Sequence, residues 1–314
     1  MKIENWPNFI IVGSGKSGST SLYNYLSQHP EIFTSRVKEP GYFEWYGVKP
    51  SFKGPKDDIH INKYAVYKKK EYLNLFNRSH QYKAVGEASV RYFISEKAAK
   101  NIKSNIPNCK IIILIRNPIE RAFSSYQMSV RDRKEHLSFL EAVNEKEKRE
   151  KENWARACFL RAGFYSENIK RYQTLFGEDS VLLLFTEDLN KKPQQEVKKA
   201  FKFLGVDTSF IANTAIIHNK SGIPKNKALH SFMTRLDDFI GWTRPLRNYV
   251  RLHTPDLDKK LSNLYRHLRG IYQTKYLRSQ SMTLEERNFL KKIYANEIAE
   301  LSKMLKRDLS HWMN

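Results

Sequence analysis

The stretch that decides the fold runs from Phe9 to Tyr25 and reads FIIVGSGKSGSTSLYNY. Its first four residues are apolar, which is typical of a parallel strand that is buried on both faces. A loop of glycine, serine and lysine follows, and the chain then continues as a predicted helix. Glycine lets backbone N–H groups turn toward an anion, and the start of a helix adds its positive dipole end. We therefore expect this loop to bind a phosphate or a close mimic of one.

The spacing inside the loop separates three kinds of nucleotide site. Gly13, Gly15 and Gly18 match the dinucleotide pattern G-x-G-x-x-G, which is a weak signal on its own. A nucleoside triphosphatase has lysine directly after the last glycine, but here Ser19 holds that position and Lys16 lies inside the loop. An ordinary strand-to-helix turn with incidental serines is the remaining alternative.

The order G-x-x-K-x-G-[ST]-T-x-L, which runs from Gly13 to Leu22, resembles the 5′-phosphosulfate loop of one enzyme family. These are the sulfotransferases that use 3′-phosphoadenosine 5′-phosphosulfate (PAPS). The resemblance implies that Lys16 stabilises charge on the bridging oxygen of the leaving phosphate, that adenosine 3′,5′-bisphosphate is the product, and that no metal is required. It also implies cofactor contacts from Lys16, Ser17, Gly18, Ser19, Thr20 and Ser21.

A second stretch, Lys38-Glu39-Pro40-Gly41-Tyr42-Phe43, follows soon after the loop helix. As composition alone it is a turn with flanking aromatic residues, in which Glu39 is a surface carboxylate. It also matches K-E-x-x-[FY]-F, which is characteristic of the glycan-modifying branch of the sulfotransferases. That resemblance implies that Glu39 is the general base for the acceptor hydroxyl and that Lys38 lines the sulfate pocket, so both would contact substrate. If Glu39 is not the base, His29 and Glu87 are the next candidates.

Ala84 to Ser89 is predicted to form another buried strand and its exit. Ser89 and Tyr92 match the family's S-P-x-Y element near the acceptor, with Val90 in place of the usual proline. The resemblance implies substrate contacts from Ser89, Arg91 and Tyr92.

A further strong signal begins with the apolar run Ile111–Ile115, which predicts a core strand. Asn117 as N-cap and Pro118 at the first helical position then predict a helix. Ligands of open parallel sheets collect at the carboxyl edge, so Arg116 should share a rim with the glycine loop. Arg116 and Ser124 match the family's 3′-phosphate pair, and an arginine fork suits a dianionic phosphate. Simple helix capping is the alternative.

The remaining chain adds a strand at Val181–Phe185, a helix C-cap at Gly205 and a final amphipathic helix from Leu284. Between them lies a basic stretch, 217–280, with 13 Lys and Arg against four Asp. Its first part is similar to the family's K-x-G-x-x-[KR] segment, which closes over the nucleotide; a generic basic turn is the alternative. The resemblance implies cofactor contacts from Lys220, Ser221, Gly222 and Lys225.

Charge and composition limit the partners of this chain. The net charge of +22 points to an anionic ligand, polymer or surface, but no zinc-finger, RNP or basic-zipper pattern is present, so we expect no nucleic acid partner. Two cysteines are too few for a disulfide framework. The polar start MKIENWPN and the lack of a long apolar run predict no secretory signal and no membrane span. We therefore expect a cytoplasmic protein.

These patterns predict one α/β domain over residues 1–314, with a central parallel sheet flanked by helices in the P-loop-like sulfotransferase fold. Residues 217–280 would form the basic loop and an acceptor-side insertion. The predicted reaction transfers the sulfuryl group of PAPS to a glycan or a small alcohol or amine. Two alternatives remain open at this point. One is a metal-dependent P-loop nucleotide kinase, whose metal ligand could only be Glu187 or Asp188, and the other is a non-catalytic polyanion-binding protein.

Overall fold

A computed structural model describes residues 4–215, 223–224, 277–278 and 281–314 of the chain. The predicted loop contacts Lys220, Ser221, Gly222 and Lys225 lie outside the described residues, so they stay predictions. The chain divides into two compact units. One unit comprises Met1–Tyr126, Leu137–His218 and Met282–Asn314, and the other comprises Gln127–His136 and Asn219–Ser281.

The first unit is built on five parallel strands in the order β2-β3-β1-β4-β5. Both faces of the central strands are buried, which is why β1 and β4 appear in the sequence as continuous apolar runs. The predicted α/β class with a central parallel sheet is therefore confirmed. The strands are β1 (Phe9–Gly13), β2 (Ile32–Thr34), β3 (Ala84–Ala88), β4 (Lys110–Ile115) and β5 (Val181–Phe185).

Helices cover both faces of the sheet. In the second unit, Ile223–Pro224 and Leu277–Arg278 pair as two short antiparallel strands. The described helices are α1 (Ser19–Leu26), α2 (Tyr42–Trp45), α3 (Lys69–Asn74), α4 (Glu96–Asn105), α5 (Pro118–Arg131), α6 (Phe139–Asn144), α7 (Lys146–Lys151), α8 (Ser166–Phe176), α9 (Thr186–Lys191), α10 (Pro193–Leu204) and α11 (Leu284–Leu305).

Alternate residues of β4 enter two different hydrophobic cores, because successive side chains of a strand point to opposite faces. Ile111 and Ile113 belong to the core that also holds buried residues of α4, α8 and α11. Ile112 and Leu114 belong to the core shared with α1 and α10. The sheet is thus sandwiched between two helical layers, and its carboxyl edge remains the place where loops emerge.

One helix begins and another ends at the capping residue that the sequence predicts. The N–H of Ile119 donates to Oδ1 of Asn117 at 3.0 Å, so Asn117 caps α5 as predicted. Gly205 ends α10 in a left-handed conformation, with φ at 79°. Among the described residues, no helix combines the length and the apolar character that crossing a bilayer requires.

Candidate active site

The loop between β1 and α1 holds two residues in the left-handed region. Lys16 has φ at 70° and Gly18, which directly precedes α1, has φ at 88°. Glycine adopts this conformation freely, whereas a lysine in it costs about 1–2 kcal/mol. Such strain persists only where surrounding contacts hold the backbone, and it is concentrated at functional sites.

Neighbouring strand ends supply those contacts. The N–H of Ser14 donates to the carbonyl oxygen of Leu114 in β4 at 2.6 Å, and the hydroxyls of Ser14 and Ser17 lie 2.7 Å apart. From the end of β5, the hydroxyl of Thr186 lies 2.8 Å from the carbonyl oxygen of Ser17 and 2.9 Å from that of Ile115. The loop is therefore tied to two strands besides its own. Thr186 was not singled out from the sequence, although a hydroxyl residue directly after a core strand is a usable signal.

Arg116 leaves β4 beside this loop. One guanidinium nitrogen, Nη1, lies 3.5 Å from the carbonyl oxygen of Lys16, and Glu120 lies 3.9 Å from the other. Tyr165 donates to the carbonyl oxygen of Arg116 at 2.7 Å, which fixes the backbone there. Burial lowers the pKa of Arg116 against the opposing effect of Glu120. A partly desolvated cation at the rim of a phosphate-binding loop is well suited to a second anionic group. Ser124 follows on α5 and is buried.

The turn that carries Glu39 lies on the other side of β1. The N–H of Glu39 donates to the carbonyl oxygen of Ala88 at 2.9 Å, and Ala88 pairs with Ile11 of β1. Glu39 has φ at 59°, and its carboxylate contacts Nζ of Lys38 at 2.9 Å while 39% of its side chain is exposed. The carboxyl edge thus brings together the Lys16 loop, Arg116 and the Glu39 turn.

The three residues of the S-P-x-Y element occupy different environments. Ser89 and Tyr92 are buried, and their hydroxyl oxygens accept the N–H groups of Gly41 and Phe43, each at 3.2 Å. The guanidinium of Arg91 forms two bonds to the Glu44 carboxylate, at 2.7 and 2.8 Å, and donates to a backbone carbonyl. Arg91 therefore has structural partners on α2, and the acceptor contacts of all three residues stay predictions.

The other candidates have hydrogen-bond or ion-pair partners within the fold. His29 is buried, with Nε2 2.8 Å from a backbone carbonyl of Asp207 and Nδ1 accepting an N–H at 3.0 Å, so both ring nitrogens are engaged. Glu187 and Asp188 pair with Arg307 at 2.9 and 2.6 Å. Among the described residues, no group of three or more His, Cys, Asp or Glu is placed to hold a metal ion.

Comparison with known proteins identifies the family. Residues 7–241, more than half of the chain, match the family model described as "Sulfotransferase domain". The chain belongs to the sulfotransferase family. The resemblance inferred from the loop is thereby confirmed, the kinase and polyanion-binding alternatives are not favoured, and sulfuryl transfer is the reaction class that the family supports.

Three similar proteins of this family cover the chain to different extents. The crystal structure of a sulfotransferase from Alicyclobacillus acidocaldarius is 29% identical, covers 98% of this chain and 99% of its own, and has a TM-score of 0.74. The bifunctional heparan sulfate N-deacetylase/N-sulfotransferase 2 of Homo sapiens is 26% identical, over 96% of the chain described here and 30% of its own length. The membrane-associated sulfotransferase kil1 of Dictyostelium discoideum is 35% identical, over 40% of this chain and 23% of its own length. The chain thus spans less than a third of the length of these two curated relatives.

Proposed function

We propose that this sulfotransferase moves the sulfuryl group of PAPS to a hydroxyl or amine of a glycan and releases adenosine 3′,5′-bisphosphate. The observation that carries the proposal is the position of three elements at the ends of adjacent strands. The Lys16 loop follows β1, Arg116 follows β4, and the Glu39 turn is bonded to the end of β3. A cationic loop, a second cation and a carboxylate are the groups that a doubly phosphorylated donor and a protonated acceptor require.

The donor side of the site suits the two anionic ends of the nucleotide. In the proposed complex, the backbone N–H groups of the loop and the start of α1 bind one anionic end, and Lys16 adds a full charge there. In the proposed reaction Lys16 stabilises the charge that develops on the phosphate oxygen as its bond to sulfur breaks. Arg116 binds the 3′-phosphate with its planar fork, and Ser124 adds a neutral donor.

The acceptor side is the partly exposed carboxylate of Glu39, which an acceptor can reach. As the acceptor oxygen or nitrogen forms its bond to sulfur, a proton of that group passes to a carboxylate oxygen of Glu39. The bond between sulfur and the 5′-phosphate oxygen breaks, and that electron pair remains on the phosphate beside Lys16. Transfer of this kind depends on positioning and on stabilisation of developing charge, by analogy with phosphoryl transfer.

The choice of a glycan as acceptor has two supports. The net charge of +22 favours an anionic polymer, and Lys38-Glu39 lies in the pattern typical of glycan-modifying sulfotransferases. One relative is named as a heparan sulfate N-sulfotransferase. A small alcohol or amine as acceptor is the other outcome that the test below distinguishes.

The proposal is tested by binding and by an acceptor screen. We expect saturable binding of adenosine 3′,5′-bisphosphate at physiological salt, and magnesium-independent transfer of labelled sulfate from PAPS to heparosan or N-desulfated heparin, detected by mass as a gain of one sulfate group. Lys16→Ala should abolish transfer, while Lys100→Ala, which removes an exposed lysine of α4, should not. Sulfation of simple alcohols alone would overturn the glycan assignment. Absence of nucleotide binding, with affinity for polyanions that falls steeply with salt, would overturn the enzyme itself.

A further inference from the structure

The carboxyl group of Glu87 is fully buried in β3 and has no role in the proposed reaction. Its partners are neutral hydroxyls. Ser89 donates to Oε2 at 2.8 Å and Tyr72 donates to Oε1 at 3.2 Å, and the hydroxyl of Tyr92 also interacts with the carboxyl group and lowers its pKa. Burying a carboxyl group costs free energy unless its hydrogen bonds are made, so this cluster of three hydroxyls stabilises Glu87 where it lies.

Two of these hydroxyls also hold the Glu39 turn. The hydroxyl oxygen of Ser89 accepts the N–H of Gly41, and that of Tyr92 accepts the N–H of Phe43. A hydroxyl has one proton, so a hydroxyl that donates to Glu87 presents its lone pairs to other donors. The carboxylate therefore sets the direction of both hydroxyls, and each then receives one backbone N–H from the turn.

The turn needs such support because its backbone is strained. Glu39 has φ at 59° and Gly41, which precedes α2, has φ at 74°. A side chain in this region is unfavourable, and α2 is too short to hold its own first turn. Three N–H groups of the turn are bonded to the end of β3 and to the residues that follow it. Glu39 donates to the carbonyl oxygen of Ala88, and Gly41 and Phe43 donate to the hydroxyls of Ser89 and Tyr92.

We infer that Glu87 is a positioning residue for the acceptor step, whose carboxylate orients Ser89 and Tyr92 so that they hold the turn carrying Glu39. The inference rests on the proposed function only for the role of Glu39. The clamp itself is a matter of hydrogen bonds between described residues, and it can be tested without donor or acceptor.

The clamp is sensitive to pH. Burial raises the pKa of Glu87 to about 7, with Glu39 adding to the rise and the hydroxyl bonds opposing it. Once protonated, Glu87 donates a hydrogen bond to one neighbouring hydroxyl, so that hydroxyl no longer donates to the carboxyl group and its direction is no longer fixed by a carboxylate. The turn should therefore loosen as pH falls through about 7. The titratable groups that face Glu87 are Tyr23, Glu39, Tyr72, Tyr92, Cys109 and Tyr172.

Burial raises the pKa of the facing tyrosines and of Cys109 far above neutrality, so they keep their protons over this range. The pH step should therefore disappear when Glu87 is replaced. Glu87→Gln keeps the shape of the side chain, but it has one acceptor oxygen in place of two, and its amide NH₂ group donates to a hydroxyl from which the carboxylate would accept.

The first test is amide hydrogen exchange of the free protein. In the parent, exchange at Gly41 and Phe43, corrected for its intrinsic pH dependence, should accelerate as pH falls through about 7. In Glu87→Gln it should be fast at every pH, by roughly tenfold, which is the effect of losing one hydrogen bond. Turnover should fall by a similar factor, while adenosine 3′,5′-bisphosphate binds as in the parent. Unchanged exchange at Gly41 and Phe43, or acceleration spread over the whole sheet, would overturn the inference.

Matched variants keep the test decisive if Glu87→Gln does not fold. Ser89→Ala and Tyr92→Phe each remove one link to the turn and should release Gly41 or Phe43 respectively. The controls Ser79→Ala and Tyr294→Phe remove buried hydroxyls that donate elsewhere, to the carbonyl oxygens of Phe76 and Leu160, each at 2.7 Å. They should leave exchange in the turn and turnover unchanged. If the test and control variants change exchange and turnover equally, the cluster around Glu87 only stabilises the fold and does not position the turn.

Failure of the proposed function gives a different pattern. If no acceptor is sulfated, or if Glu39→Gln retains turnover, the reaction assigned to the Glu39 turn is wrong, whereas the exchange at Gly41 and Phe43 still decides whether Glu87 holds that turn.

Discussion

The Lys16 loop and the Glu39 turn use the same backbone arrangement with different supports. In each, a charged residue has a left-handed conformation and a left-handed glycine two residues later precedes a helix, Gly18 before α1 and Gly41 before α2. The loop is held by the backbone of β4 and by the hydroxyl of Thr186. The turn is held partly by side chains that depend on a buried carboxyl group.

This difference has a consequence for function. The anchors of the loop described above are backbone groups and hydroxyls, which do not ionise near neutral pH. The anchors of the turn depend on Glu87, whose pKa burial raises to about 7. We therefore expect donor binding to be insensitive to pH near neutrality and the acceptor step to be sensitive to it. The following predictions separate the two sides, from the largest expected effect to the smallest.

Replacement of the proposed base should have the largest effect and act on the turn alone. Glu39→Gln keeps the shape of the side chain but cannot accept the proton, so turnover should fall by roughly 10²–10⁴-fold with nucleotide affinity nearly unchanged. Steady-state kinetics and calorimetric titration with adenosine 3′,5′-bisphosphate measure the two quantities. Glu71→Gln, at an exposed position of α3, is the control. Near-normal turnover of Glu39→Gln would show that the base lies elsewhere.

The buried carboxyl group should impose a pH dependence on stability. Its pKa of about 7 in the folded protein exceeds the ordinary 4.5, so the folded state retains a proton that the unfolded state releases between these values. The free energy of unfolding should therefore fall as pH rises from 4.5 to about 7, by about 3 kcal/mol for this group.

Glu87→Gln should lack this fall, so the difference in unfolding free energy between parent and variant should change with pH over that range. Urea unfolding at several pH values measures it, and the contributions of other groups cancel in the difference. Relative to the parent, Glu87→Gln should gain unfolding free energy as pH rises, and yet its turnover should be lower. A group with a purely structural role would not give this combination. A difference that is constant with pH would contradict the prediction.

Loss of the second cation should affect the donor side alone. Arg116→Ala should weaken binding of adenosine 3′,5′-bisphosphate by about 1.5–3 kcal/mol, the value of a hydrogen bond to a charged group. Binding of adenosine 5′-phosphosulfate, which lacks the 3′-phosphate, should barely change. Comparable losses for both nucleotides, measured by calorimetry, would refute the assignment of Arg116 to the 3′-phosphate.

The smallest effect should come from the anchor of the loop. Thr186→Val removes the hydroxyl beside Ser17 while keeping the branched shape, so the loop should bind nucleotide more weakly by about 1 kcal/mol. Turnover at saturating donor should stay close to that of the parent. Exchange at Gly41 should also stay as in the parent, and an increase there would mean that loop and turn are not supported independently.

The sequence accounts for most of the sheet and for the donor loop. Strands β1, β4 and β5 are continuous apolar runs that predict buried strands directly, and β3 was predicted although it contains the buried Glu87. The edge strand β2 was not predicted, since three residues are too few to show a period. The glycine loop and Arg116 were placed on one rim because every strand of a parallel sheet ends at the same edge.

Only the tertiary structure decided the supports of the Glu39 turn. Gly41 and Ser89 are 48 residues apart, and they meet because the turn crosses the end of β3. Arg91 forms two hydrogen bonds to the carboxylate of Glu44, which is 47 residues away in the chain. Local periodicity and short motifs encode which segments are buried and where backbone turns. They do not encode which hydroxyl meets which amide, because that depends on packing between elements that are distant in sequence.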